Sequence, residues 1–281
     1  LILATSYLLL LIKPAWTGEL GGTFKAKEIP QEYTELKNFL VSQPEFFRTF
    51  WIPKKQRFGF YNNNHPALSA QEIFATSELP LMVEKLKSEE TKQFLSLSGV
   101  KYVILPYDSE GEFFLEDRKY NPQLRQNIEE ELDKIPWLKK IFSSYSNDIN
   151  HWSNLSIYEF ADSRDHFWLE DTTALHSPVV WQMINPTKHI VSVKNLNSPT
   201  TLVFSENFDS GWTATIDNKK ITSQKVYDRL NSFPIERTGD VEVVVEFAPQ
   251  KYVGYGLIIS ILTFTLATII LGYIRIYKIG S

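Results

Sequence analysis

Cysteine is absent from this 281-residue sequence, which excludes disulfide bonds, thiolate metal sites and a cysteine nucleophile. An excess of basic charge is lacking too, because 29 Lys and Arg stand against 33 Asp and Glu, for a net charge of −4. The chain therefore offers no basic stripe of the kind that binds nucleic acid. We expect a protein that is stabilised by its own hydrophobic core and has no nucleic-acid partner.

Motifs for cofactor and metal chemistry are missing as well. The chain has no P-loop, no glycine-rich dinucleotide motif and no GxSxG nucleophile elbow. Its five histidines lack the HxxxH and HExxH spacings of metal sites. The sequence therefore predicts no cofactor and no metal site.

A long uncharged run lies near the end of the chain. Tyr252–Ile274 contains no charged residue and is closed by Arg275 and Lys278. At ~1.5 Å per residue, a helix of about 23 residues spans roughly 35 Å, enough for a hydrocarbon core of about 30 Å. Tyrosines near both ends and a basic tail are typical of membrane helices. A buried helix of a soluble protein is the alternative, and we predict a transmembrane helix over residues 252–275.

The chain also begins with an apolar segment, Leu1–Ile12, which is followed by Lys13 and Pro14. This segment is too short to span a bilayer, so we interpret residues 1–16 as the end of a truncated transmembrane helix. The basic tail assigns the carboxy terminus to the cytoplasm by the positive-inside rule. We therefore expect the last part of a polytopic cell-membrane protein, with the lipid bilayer as partner and most of the chain extracytoplasmic.

Residues 24–165 alternate between helical and strand-like patterns, which predicts a small extracytoplasmic α/β layer domain. The predicted helices are Glu32–Val41, Leu81–Leu97 and Gln123–Lys134. The predicted strands are Arg48–Ile52, Val100–Leu105 and Leu155–Phe160.

Residues 175–250 contain short apolar runs between turn residues, which predicts an antiparallel β-sandwich. The predicted strands are Val179–Ile184, His189–Leu196, Thr200–Ser205, Gly211–Asp217, Phe233–Arg237 and Val241–Phe247. Asp217 and Asn218 predict a hairpin turn because both residue types tolerate positive φ. The expected fold class is thus α+β and membrane-anchored: an α/β layer domain, a β-sandwich and a C-terminal transmembrane helix.

Three segments at the end of the chain form an ordered set: GWTATIDNKK (Gly211–Lys220), FPIERTGDVEVVVEFAPQ (Phe233–Gln250) and YVGYGLIIS (Tyr252–Ser260). Together they resemble the carboxy-terminal signature of YfhO-like bacterial membrane proteins. Two upstream segments, Gly99–Leu105 and Arg48–Pro53, resemble strands of the extracytoplasmic domains of such proteins.

This resemblance implies a parent enzyme of the GT-C type, a polytopic glycosyltransferase. Such enzymes move a sugar from a polyprenyl-phosphate donor to an acceptor outside the cell. Their catalytic acid lies on an early extracytoplasmic loop, which would precede Leu1. The resemblance therefore implies no catalytic residue in this chain, and it implies a glycan or a polyprenyl-phosphate-linked sugar as partner.

Aromatic residues make up 14% of the chain, and one group of them stands beside amides. The candidate carbohydrate-binding residues are Trp51, Phe60, Tyr61 and Asn62, because aromatic rings stack on sugar faces and amides bind hydroxyl groups. Core packing is the alternative for these rings.

A second cluster of functional side chains surrounds His166. Its carboxylates, Asp162, Asp165, Glu170 and Asp171, raise the hypothesis of glycoside hydrolysis by paired acids. A solvated charge cluster is the alternative.

The function that we expect is a non-catalytic extracytoplasmic module that positions a glycan or a lipid-linked acceptor for a membrane glycosyltransferase. The alternative is a structural or interaction domain of a cell-envelope membrane protein that binds no sugar. A hydrolase is a third interpretation.

Overall fold

The computed structural model describes residues 2–13, 31–55, 64–106, 122–143, 155–170 and 177–279. The chain divides into two compact units. Unit 1 comprises Leu1–Gln93 and Val100–Asp162, and unit 2 comprises Phe94–Gly99 and Ser163–Ser281. The assignment of residues 94–99 to unit 2 is a feature that the sequence alone does not indicate.

The described helices that begin in unit 1 are α1 (Ile2–Leu11), α2 (Gln31–Val41), α3 (Ala70–Phe74), α4 (Leu79–Leu86), α5 (Glu89–Leu97) and α6 (Pro122–Leu132). The prediction of one helix over 81–97 is wrong, because α4 and α5 are separate. Ser88 lies between them and accepts a hydrogen bond at its Oγ from the Thr91 N–H, at 3.1 Å. This is the contact of a helix N-cap, and it starts a new helix at Glu89.

The strands of unit 1 form one mixed sheet. They are β1 (Arg48–Trp51), β2 (Ala67–Ser69), β3 (Val100–Leu105), β4 (Leu138–Ser143) and β5 (Ser156–Phe160). The order in the sheet is β2-β1-β3-β5-β4. Strand β1 is parallel to β2 and β3, whereas β5 is antiparallel to β3 and β4. The α/β layer predicted for this region is confirmed.

Helix α2 packs its apolar side chains into the core of unit 1. Tyr33, Leu36 and Leu40 are buried there with Phe47 and Ile104. The spacing i, i+3, i+7 places these side chains on one helix face, and burial of that face stabilises the helix.

The strands of unit 2 form two antiparallel sheets. They are β6 (Phe167–Leu169), β7 (Val179–Asn185), β8 (Lys188–Leu196), β9 (Thr200–Asn207), β10 (Trp212–Ile216), β11 (Lys219–Thr222), β12 (Gln224–Val226), β13 (Leu230–Ile235) and β14 (Gly239–Phe247). One sheet has the order β11-β10-β14-β8-β7, and the other has the order β12-β13-β9-β6. This arrangement confirms the predicted sandwich.

Strand β14 shows why the sequence folds in this way. Val241, Val243 and Val245 are buried between the sheets with Trp212 and Phe233. Alternate residues of a strand face opposite sides of the sheet, so one apolar face is enough to build the core. Trp212 is a core residue.

The hairpin between β10 and β11 also agrees with the sequence. Asp217 and Asn218 have φ values of 48° and 64°, and Ile216 pairs with Lys219 across the turn. Two consecutive positive φ values define the turn that matches the twist of a two-residue hairpin.

Residues 94–99 complete a smaller apolar cluster of unit 2. Leu97 is buried there with Trp168, Val203 and Leu230. The Arg164 N–H donates a hydrogen bond to the carbonyl oxygen of Ser96, at 3.2 Å. The end of α5 thus takes part in the structure of unit 2.

Helix α7 (Gln250–Ile279) follows the sandwich. Its Gln250–Gly272 stretch is long and apolar enough to cross a membrane. Large apolar side chains along it, such as Leu257, Leu262 and Phe264, are exposed. A buried helix of a soluble core would cover these side chains, so their exposure favours the membrane interpretation.

Candidate functional site

Trp51 is the predicted sugar-binding residue that lies in the described part of the chain. Its side chain is 0% exposed, and its Nε1 donates a hydrogen bond to Thr49 Oγ1 at 2.9 Å. Its ring stacks on Tyr33 with the centroids 6.4 Å apart. The other predicted members lie outside the described residues: Phe60, Tyr61 and Asn62. Core packing therefore describes Trp51 itself, and the group of four stays a prediction.

Two of the carboxylates around His166, Asp162 and Asp165, make local structural contacts. Asp162 forms an ion pair with Lys92, at 3.2 Å. Asp165 accepts hydrogen bonds from Trp181 Nε1 at 3.0 Å and from the backbone N–H of His166 at 2.6 Å. Asp171 lies outside the described residues. These contacts favour the charge-cluster alternative over paired catalytic acids.

Two histidines that are far apart in sequence meet inside the sandwich. His166 precedes β6, His189 lies on β8, and their ring centroids are 5.4 Å apart. The His166 Nδ1 lies 2.8 Å from Ser205 Oγ, within hydrogen-bond distance. His189 contacts the rings of Phe204 and Trp212, at centroid distances of 5.3 and 6.2 Å.

His189 is the more unusual of the two. It is buried, and neither ring nitrogen has a hydrogen-bond partner among the described residues. Burial lowers the pKa of His189 to about 4, because a charged imidazolium would lose its hydration among these rings. The ring is therefore neutral at pH 7.

Unit 1 contains a buried ionic network at helix α6. Arg125 Nη1 lies 2.5 Å from Glu129 Oε2, and Arg125 Nη2 donates to Ser156 Oγ at 2.8 Å. Ser156 donates to Glu129 Oε1 at 2.7 Å, and Lys140 Nζ lies 3.1 Å from the same oxygen. This network ties α6 to β4 and β5.

The protonation of Glu129 follows from these contacts. Burial by itself would raise the pKa of Glu129, but the hydrogen bond from Ser156 and the charge of Arg125 outweigh it and lower the pKa to about 2. Glu129 is thus ionised at neutral pH and engaged with several donors. A carboxyl group that is ionised at neutral pH cannot act as a general acid, and the contacts of Glu129 hold α6 against β4 and β5.

The junction between the sandwich and α7 is short and well connected. Only Ala248 and Pro249 separate the end of β14 from Gln250, the first residue of α7. The Ala248 N–H donates to the Gly211 carbonyl oxygen at 2.8 Å, and the Tyr252 N–H donates to the Pro249 carbonyl oxygen at 3.0 Å.

Gly211 allows this close approach. A Cβ at this position would lie 2.7 Å from Cε2 of Phe247 and 3.0 Å from Cδ of Pro249. A Cβ essentially never lies closer than 3.0 Å to another heavy atom, so a side chain at this position would force the Phe247 ring or the junction to shift. In the Gly211-Trp212 pair, the glycine therefore has a structural role: it lets the chain pass close to Phe247 and Pro249 at the start of β10.

Metal binding finds no support among the described residues, which contain no group of three or more His, Cys, Asp or Glu side chains that could hold an ion. Comparisons with protein-family models, with curated proteins and with solved structures found no match.

The sequence analysis does not predict the two buried polar groups of the structure, which are the Arg125–Glu129 network and the His166–His189 pair. The Arg125–Glu129 pair has i, i+4 spacing, a signal that could have indicated it. The meeting of His166 and His189 depends on the pairing of strands in the sandwich, and the sequence carries no local signal for it.

Proposed function

We propose that this chain is a non-catalytic extracytoplasmic module of a polytopic membrane glycosyltransferase that uses polyprenyl-phosphate sugar donors. In this proposal, the module holds a glycan or a lipid-linked acceptor close to the bilayer. The observation that carries the proposal is the junction of the sandwich with α7.

The segments that carry the family resemblance are neighbours in space. The hairpin of β10 and β11 lies at one edge of a sheet, β14 pairs with β10, and α7 follows β14. The three segments, which follow one another closely in the sequence, therefore also form one continuous structure at the junction. This supports the interpretation of them as a single signature.

The junction also limits where the module can act. Three peptide steps, from Phe247 to Gln250, extend at most about 11 Å. The hydrogen bond from the Ala248 N–H to the Gly211 carbonyl oxygen further restricts the junction. The base of the sandwich therefore stays close to the bilayer surface, where a lipid-linked sugar is presented.

The alternative is a structural or interaction domain that binds no sugar. The burial of Trp51 favours it, because a stacked sugar needs an exposed ring face. Binding experiments distinguish the two functions.

The experiment uses the full chain in detergent micelles and measures binding to a glycan array and to a short-chain polyprenyl-phosphate sugar. The proposal predicts binding that is lost in Tyr61→Ala and in Asn62→Ala. The matched control is Phe39→Ala, which removes a partly exposed ring of α2 outside the predicted group. Absence of binding to every sugar would leave the structural alternative as the function.

A further inference from the structure

A cavity lies at the base of unit 2, where the sandwich meets α7. Its volume is about 230 Å³. Its polar lining comes from the β7–β8 turn, from β11, from the end of β14 and from the first turn of α7. The residues with polar or charged side chains include Asn185, Lys188, Lys220, Glu246, Gln250 and Lys251.

The cavity carries excess positive charge. Three lysines face one carboxylate, Glu246, whose Oε1 lies 3.3 Å from Lys220 Nζ. Lys188 and Lys251 have no carboxylate partner in the part of the chain that the structure describes, and Lys251 Nζ lies 5.1 Å from the ring centroid of Tyr252. Two positive charges are therefore available for an anion.

The position of the cavity along the membrane normal follows from α7. The apolar stretch that can span a bilayer starts at Gln250, which is itself a cavity residue. Tyr252 and Tyr255 are exposed in the first turns of α7, and tyrosines concentrate at the membrane interface. The interfacial layer on each side of the hydrocarbon core is about 5–7 Å thick. The cavity thus lies at the level of the phospholipid headgroups.

We propose that this cavity binds the phosphate of an anionic phospholipid headgroup from the surrounding bilayer. Lys188 and Lys251 supply the charge, because a lysine ammonium binds phosphate as a point charge. The side-chain amides of Asn185 and Gln250 are donors at the same cavity. The site requires only that α7 spans a bilayer and does not depend on the glycosyltransferase proposal.

Native mass spectrometry of the full chain in detergent tests this site. The delipidated chain is titrated with phosphatidylglycerol or with phosphatidylcholine, whose choline group cancels the phosphate charge. We expect preferential retention of phosphatidylglycerol. Competition by inorganic phosphate and by glycerol 3-phosphate is measured in parallel, to distinguish a lipid headgroup from a free phosphate.

Charge variants give the expected magnitudes. Each lysine at an anionic surface is worth about fivefold in affinity, so Lys188→Gln and Lys251→Gln should each weaken phosphatidylglycerol binding about fivefold. Glu246→Gln should strengthen it to a similar extent, because it releases Lys220. The control is Lys194→Gln on the same strand, roughly 20 Å from Lys188, where the lysine pairs with Asp240 at 2.9 Å.

Each outcome decides the proposal. About fivefold weaker binding in Lys188→Gln and in Lys251→Gln, stronger binding in Glu246→Gln and no change in Lys194→Gln support it. Equal retention of both lipids, or binding that none of the cavity variants changes, overturns it. Displacement of the lipid by inorganic phosphate at equal concentration shows a free-anion site and also overturns it. If a lysine variant fails to fold, Glu246→Gln still tests the proposal, because unfolding cannot raise the affinity for phosphatidylglycerol.

Discussion

Replacing His189 by leucine should change how the stability of the sandwich depends on pH. The imidazole is buried on β8 without a hydrogen-bond partner among the described residues, and the rings of His166, Phe204 and Trp212 lie within about 6 Å of it. His166 is the titratable side chain among these ring contacts. Because protonation of His189 is unfavourable in the folded protein, acid should stabilise the unfolded chain relative to the folded protein.

The magnitude follows from the two pKa values. The pKa of His189 is 6.5 in the unfolded chain and about 4 in the folded protein. Each pH unit between these values removes about 1.4 kcal/mol of stability, so the complete effect is about 3 kcal/mol. The contribution of His189 leaves the free energy of unfolding unchanged above pH 6.5 and lowers it as the pH decreases from 6.5 toward 4. At pH 5, about 2 kcal/mol should be lost.

The assay is urea unfolding of the full chain in detergent micelles at pH 7.5 and pH 5.0, followed by hydrogen exchange in peptides from β8 and β14. His189→Leu should lack the loss of about 2 kcal/mol between the two pH values. It should also be about 1 kcal/mol more stable at pH 7.5, because it buries no unpaired polar atom.

His189→Gln is the matched control. It removes the titration but keeps a polar side chain, so it should lose the pH dependence without the gain at pH 7.5. If both variants keep the acid sensitivity of the wild type, the assigned role of His189 is refuted.

Two further substitutions test the junction and the ionic network. Gly211→Ala should destabilise unit 2 by about 1–3 kcal/mol, because the added methyl group would lie too close to Phe247 and Pro249. Thermal unfolding of the full chain measures this loss of stability. An unchanged melting temperature would contradict the prediction. Glu129→Gln should cost about 3 kcal/mol, since it leaves Arg125 buried without its anionic partner. The exposed neighbour Glu130→Gln should change stability by less than about 0.5 kcal/mol, and equal effects of the two glutamate substitutions in urea unfolding would disprove the network argument.

The sequence predicted those parts of the fold that depend on local patterns. In strand β14, Val241, Val243 and Val245 occupy every second position, and the hairpin at Asp217 and Asn218 has residues that tolerate positive φ. In both cases a few consecutive residues determine the conformation. Strands β6 and β12 have three residues each, too few for a periodic pattern, and they form because longer neighbours pair with them.

The candidate sites were harder to predict. Burial of Trp51 in a core and stacking of Trp51 on a sugar both use its aromatic ring, so the residue type alone does not distinguish the two roles. Lys188, Lys220 and Lys251 come from three elements that only the fold brings to one cavity. No sequence spacing predicts this group of lysines, because the number of residues between them depends on the lengths of the strands and turns.

Helix α5 has a consequence for the order in which the chain folds. Its last residues, together with Gly99, belong to unit 2, whereas the chain before and after them belongs to unit 1. During synthesis, Leu97 is therefore made long before Val203 and Leu230, the residues that cover it. Leu97 can therefore be covered only after the strands of the sandwich have been made. A fragment that begins at residue 163 would lack Leu97 and would uncover the side chains of Trp168, Val203 and Leu230 that pack against it.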